Sequence, residues 1–72
     1  MVKIYRLEDL DCAHCASKME EAISKIEGVH SASVSFLAQK LTLDAEEERL
    51  QAIEKEIVSI CKKIEPDCTV IL

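Results

Sequence analysis

The chain has few residues that interrupt regular structure, with one glycine and one proline among its 72 residues, and it has no tryptophan. Hydrophobic residues make up 49% and charged residues 32%. This composition is typical of a globular protein and excludes a disordered or fibrous one. Because a chain of this length has room for only one core, we predict a single domain over residues 1–72.

Basic residues and long apolar runs are also scarce. Nine basic residues against 14 acidic ones give a formal net charge of -5, so we expect no nucleic-acid partner, whose phosphates would be repelled. No stretch approaches the ~20 apolar residues that span a bilayer. Residues 1–10 carry charges at every second or third position, unlike a signal peptide. We therefore expect a cytoplasmic monomer with reduced thiols.

Hydrophobic periodicity predicts the order strand, helix, strand, strand, helix, strand. The first, second and fourth strands are predicted at residues 1–7, 29–36 and 68–72, and the third is predicted to begin at residue 41. The first helix is predicted from Ala13 to a stop at Gly28. This order predicts an α+β fold, a ferredoxin-like βαββαβ open-faced sandwich with an antiparallel sheet and two helices on one face.

The second helix is predicted from an apolar stripe with helical spacing. Asp44 is the expected N-cap, and Pro66 cannot continue the helix. The inward stripe comprises Leu50, Ile53, Ile57, Ile60 and Ile64.

Two of the four cysteines, Cys12 and Cys15, lie where the first strand gives way to the first helix. Two intervening residues let both sulfurs converge on one point, and the positive end of a helix lowers a thiol pKa. The pair therefore predicts a site for one soft or borderline metal ion. A redox pair is the alternative, but the chain lacks the tryptophan, the loop prolines and the element order expected of thioredoxin-like proteins.

The segment Leu10-Asp11-Cys12-Ala13-His14-Cys15-Ala16 resembles the Gly-Met/Leu-Thr/Asp-Cys-X-X-Cys motif of heavy-metal-associated domains. These domains include copper chaperones, mercury-binding proteins and the N-terminal domains of metal-exporting P-type ATPases. Gly28-Val29 after the first helix also fits the family. The resemblance implies that Cys12 and Cys15 are the ligands and that Leu10, in the Met position, packs beneath the loop.

The loop departs from the family pattern at Asp9, where the family usually has glycine, so the backbone shape at the loop entry is expected to differ. The aspartate at position 11 resembles the pattern of the zinc, cadmium and lead ATPases, whereas copper-handling members commonly have threonine at this position. A carboxylate beside two thiolates adds a harder donor, which favours divalent ions over Cu⁺. We expect Asp11 to be the third ligand. The other interpretation is an acid that merely complements the helix dipole.

Three further side chains are weaker ligand candidates. His14 lies between the two cysteines and is expected to point to solvent. Cys61 falls at the edge of the second helix's apolar stripe, where it is expected to join the core. Cys68 begins the last predicted strand, and the loop before it is expected near the metal loop, which makes Cys68 an auxiliary thiol candidate.

The leading hypothesis is the cytosolic metal-binding domain of a P-type ATPase that exports Zn²⁺, Cd²⁺ or Pb²⁺. Such a domain catalyses nothing itself. It accepts an ion and passes it to the transport site, or it regulates turnover. Its expected partners are a metal donor protein and the cytosolic and transmembrane parts of the transporter, on the cytosolic side of the plasma membrane. The alternatives are a free-standing metallochaperone for Cu⁺ or Hg²⁺ and a thiol–disulfide accessory protein.

Overall fold

Alternating side chains give the first strand one buried and one exposed face. In the computed structural model, which describes residues 1–72, β1 spans Val2–Glu8. Its Tyr5 and Leu7 are buried, whereas Val2 and Ile4 face solvent. The other elements are α1 (Ala13–Ser24), β2 (Val29–Ser35), β3 (Lys40–Ala45), a short 3-10 helix (Glu47–Arg49), α2 (Leu50–Ile64) and β4 (Thr69–Ile71).

The four strands form one antiparallel sheet in the order β2-β3-β1-β4. Tyr5 of β1 pairs with Leu41 of β3, and Leu7 pairs with Val70 of β4. The hairpin that joins β2 to β3 therefore lies beside the end of β1, where the chain leaves the sheet for α1. The predicted ferredoxin-like fold is confirmed.

Both helices cover the same face of the sheet. In each, the buried positions recur every three or four residues, as a helix packed on one side requires. The helical core residues are Ala16, Met19 and Ile23 of α1, and Ile53, Ile57 and Cys61 of α2. They share one hydrophobic cluster with the buried strand residues. Neither helix is long and apolar enough to cross a membrane.

The predicted N-cap of the second helix is wrong. Asp44 lies inside β3, paired with Val2 and Ser31, and its carboxylate is 3.4 Å from the N-terminal amine. Leu43 and Ala45 on either side are buried, so burial of the alternating strand prevails over the capping preference of Asp44. The 3-10 helix then separates β3 from α2.

Candidate metal centre

Cys12 is the N-cap residue of α1. Its backbone is extended (φ -131°, ψ 118°), and its Sγ accepts a hydrogen bond from the backbone N–H of Cys15 at 3.2 Å. Its carbonyl accepts from Ala16 N at 3.1 Å and starts the helical ladder. A thiol thus occupies the position where serine or aspartate usually caps a helix, next to the positive end of the helix dipole.

The two thiols of the loop differ in acidity. Hydrogen bonds from the Cys15 side chain and backbone lower the pKa of Cys12, and the His14 backbone adds to this effect against opposing contributions from burial and Glu65. The hydrogen bond to Cys12, burial and the negative charges of Cys12 and Glu65 raise the pKa of Cys15 to about 11. Cys12 is therefore the thiol that ionises first, while Cys15 keeps its proton near neutral pH.

A carboxylate that sequence reasoning missed lies against Cys15. The Cys15 Sγ donates to Glu65 Oε2 at 3.8 Å, a long hydrogen bond even for sulfur. Glu65 is the C-cap of α2, and its N–H donates to Cys61 O at 2.8 Å. The contact joins the end of α2 to the start of α1 across 50 positions. The only sequence signal for it was the predicted approach of the loop before Cys68.

The remaining predicted ligands in the loop face solvent. Asp11 and His14 are both exposed, whereas Cys12 and Cys15 are half-buried. No group of three or more Cys, His, Asp or Glu side chains converges closely enough to hold a metal ion. The arrangement therefore offers two adjacent thiols, with the carboxylates of Asp11 and Glu65 at its margin.

The other two cysteines are buried beneath this loop. Cys61 and Cys68 are each 1% exposed, so the predicted core position of Cys61 is confirmed. Burial, followed by the charge of Cys68, raises the pKa of Cys61 to about 11. Burial also raises the pKa of Cys68, as do the charges of Glu65 and the loop aspartates Asp9 and Asp11. Neither sulfur faces solvent, which leaves both as core residues in this arrangement.

The loop between β1 and α1 is supported from below and bent at its entry. Leu10 is 3% exposed and packs in the core, as its place in the motif implies. Asp9 has a φ of 61°, in the left-handed region that glycine enters most easily and that aspartate tolerates better than most residues. Asp9 therefore adopts a backbone conformation that also suits glycine.

A known protein family combines this fold with a thiol pair at the start of the first helix. Residues 4–65 match the family model described as "Heavy-metal-associated domain". The chain belongs to the heavy-metal-associated domain family. The match covers most of the chain, including Cys12, Cys15, Asp11 and Glu65.

Relatives of this heavy-metal-associated domain include much longer transport ATPases. The chain is 35% identical over 66 residues to the "Cadmium, zinc and cobalt-transporting ATPase" of Bacillus subtilis, which covers 92% of this chain and 9% of that protein. It is 32% identical over 53 residues to the "Zinc/cadmium/lead-transporting P-type ATPase" of Escherichia coli, covering 74% of this chain and 7% of that protein. The chain thus spans less than a tenth of the length of either relative.

Solved structures agree with the fold. The N-terminal domain of a potential copper-translocating P-type ATPase from Bacillus subtilis, in its Cu(I)-loaded state, has a TM-score of 0.77 at 25% identity, covering 99% of this chain and 84% of that one. A CopZ metallochaperone has a TM-score of 0.76 at 21% identity, covering 99% of this chain and all of that one. The fold is therefore shared by an ATPase domain that binds copper and by a metallochaperone.

Proposed function

We propose that residues 1–72 form one domain that binds Zn²⁺, Cd²⁺ or Pb²⁺ through Cys12 and Cys15 and delivers the ion to a P-type ATPase. The observation that carries the proposal is the thiol pair with a carboxylate on either side, Asp11 next to Cys12 in the chain and Glu65 against Cys15. The names of the bacterial relatives, which transport cadmium, zinc, cobalt or lead, support this choice of cargo.

Charge favours a divalent cargo at this site. Two thiolates neutralise a divalent cation but leave a net negative charge around Cu⁺, and adjacent carboxylates increase that difference. The four ion pairs of the structure involve other residues, so neither Asp11 nor Glu65 is paired with a basic side chain. Oxygen ligands also suit Zn²⁺ and Cd²⁺ better than Cu⁺. Asp11 is proposed to complete the site by turning its exposed side chain toward the sulfurs.

Binding must displace a proton from Cys15, because metal ligation requires the thiolate and the pKa of this thiol is raised to about 11. The proton leaves Cys15 Sγ for water, and Glu65 Oε2, already in contact with that sulfur, can pass it on. Cys12 loses its proton more easily, since hydrogen bonds from the Cys15 side chain and backbone and from the His14 backbone already lower its pKa. Cation capture and proton release are therefore coupled at Cys15.

Delivery requires that the ion can leave. Cys12 and Cys15 are only half-buried at the surface of the domain, and no third ligand is held in place beside them. An incoming thiolate or carboxylate of a partner can therefore bind the ion before the first ligand departs. We infer that the cargo moves to the cytosolic or transmembrane part of the transporter by such ligand exchange, without being released to water.

The Asp11→Ala variant tests the choice of cargo. We expect it to weaken Zn²⁺ and Cd²⁺ binding by about tenfold, and Cu⁺ binding much less, because the carboxylate is a donor that Cu⁺ does not need. Competition titrations with chromophoric chelators measure all three affinities on reduced protein. Glu56→Ala removes the same charge from an exposed position of α2 and should leave all three affinities unchanged. Equal losses for Cu⁺ and the divalent ions would contradict ligation by Asp11.

A further inference from the structure

The side chain of Gln39 bonds to the backbone of the metal-binding loop. The N–H of Leu10 donates to Gln39 Oε1 at 3.0 Å, and Gln39 Nε2 donates to Leu10 O at 2.8 Å. The same Nε2 donates to Phe36 O at 2.8 Å. One amide thus satisfies both polar backbone groups of Leu10, as a neighbouring strand would.

Gln39 is itself held firmly. It lies in the hairpin between β2 and β3 with a φ of 55°, and its carbonyl accepts from Leu7 N at 2.8 Å. Its side chain is half-buried, between the hairpin and the loop. The amide therefore extends from the hairpin turn, which is bonded to β1 through Leu7, to a residue 29 positions earlier in the chain.

Leu10 connects the hydrogen bonds of Gln39 to the candidate metal site. It lies two residues before Cys12, in residues 10–12, which belong to neither β1 nor α1. Its side chain is packed in the core, and its backbone has the Gln39 amide where secondary structure would otherwise supply partners. Both the side chain and the backbone of Leu10 are thus held in place, and only Asp11 separates Leu10 from Cys12.

We propose that Gln39 is a positioning residue that holds the loop in its metal-binding shape and thereby sets the affinity for the cargo ion. This role rests on the proposed function. It requires the glutamine amide: asparagine is one methylene too short, and glutamate at neutral pH accepts from Leu10 N but has no N–H for the carbonyls of Leu10 and Phe36. Partners that orient a metal site from outside it typically change affinity by about 10- to 100-fold.

The test compares Gln39→Met, which keeps the side-chain length without the amide, with the parent. We expect a loss of Cd²⁺ affinity of about tenfold, measured by chelator competition. Backbone amide exchange followed by NMR supplies an independent readout, because Leu10 N–H loses its side-chain acceptor, whereas Leu7 N–H keeps its bond to the Gln39 backbone. Exchange at Leu10 should accelerate and exchange at Leu7 should not.

Gly28→Ala is the matched control, since it destabilises the fold beyond the far end of α1 and should leave the Cd²⁺ affinity of the folded domain unchanged. Parent-like affinity in Gln39→Met despite faster Leu10 exchange would overturn the proposal. So would an affinity loss no larger than that of Gly28→Ala. A parent that binds no Cd²⁺ would instead refute the proposed cargo, and the same variants titrated with Cu⁺ would then decide the role of Gln39.

Discussion

At the scale of single residues, the pKa values of Cys12 and Cys15 are shifted in opposite directions, although the two residues lie within one turn of each other. Cys12 accepts hydrogen bonds from Cys15 at the helix start, which lowers its pKa. The hydrogen bond to Cys12, burial and the charges of Cys12 and Glu65 raise the pKa of Cys15 to about 11. The thiolate is the reactive form of cysteine. The two sulfurs should therefore differ in chemical reactivity before any metal is bound.

Iodoacetamide should modify Cys12 first in the reduced, metal-free domain at pH 7. Because the pKa of Cys12 is lowered, its rate should level off with rising pH earlier than that of a free thiol, while the rate at Cys15 should still be rising toward pH 11. Peptide mass spectrometry after brief labelling measures each site. Cys61 and Cys68 serve as internal controls, since both are buried and should react only on unfolding. Faster labelling of Cys15 would contradict the assigned acidities.

Residue spacing was sufficient to predict the thiol pair but not its surroundings. The separation of Cys12 and Cys15 and their place before a helical period are local properties of the sequence. Glu65 and Gln39 reach the loop from 50 and 29 positions away, respectively. Such contacts depend on how the hairpin and the end of α2 dock beside the loop, and hydrophobic periodicity carries no information about individual polar partners.

At the scale of elements, the helical and strand periods predicted every major element, because each element buries one face on a shared core. The failure at Asp44 has the same origin. An aspartate ahead of an acidic helical stretch suits an N-cap, but Leu43 and Ala45 extend the buried alternation of β3 through it. Tertiary burial thus decided a boundary that local propensity alone assigned to the helix.

Gly28 fixes the turn between α1 and β2, and its replacement tests that element. Gly28 has a φ of 95°, and an added Cβ would lie 2.7 Å from Arg49 Cδ and 3.2 Å from Ile53 Cδ1. Gly28→Ala should lower the free energy of unfolding by about 1–2 kcal/mol, mainly through the positive φ, since the Arg49 side chain can move.

Urea denaturation of the metal-free domain measures this change. Gly28→Asn is the comparison, because asparagine tolerates positive φ better and should lose less stability than alanine. Equal losses would assign the cost to the contact with Arg49 and Ile53 instead of the backbone. An alanine variant as stable as the parent would contradict the conformational requirement at this turn.

At the scale of the whole molecule, one end carries the chemistry. The hairpin turn, the loop before α1 and the end of α2 meet there, and they bring together Gln39, the two thiols and Glu65. The exposed surface of both helices is mainly charged or polar, and Glu21 of α1 forms a 3.4 Å ion pair with Lys25, which caps that helix. We expect a partner that accepts the ion to approach this end.

Removal of both loop thiols is the sharpest test of whether Cys12 and Cys15 bind the ion. The reduced Cys12→Ser/Cys15→Ser variant should keep its fold, because both side chains are only half-buried. Its Zn²⁺ and Cd²⁺ affinities, measured by chelator competition, should fall by at least about 100-fold, since neutral hydroxyls replace the thiolates that bind these ions. Cys68→Ala, which removes a buried thiol beneath the loop, should retain binding. Parent-like Zn²⁺ or Cd²⁺ affinity in the double serine variant would show that the two loop thiols are not the ligands.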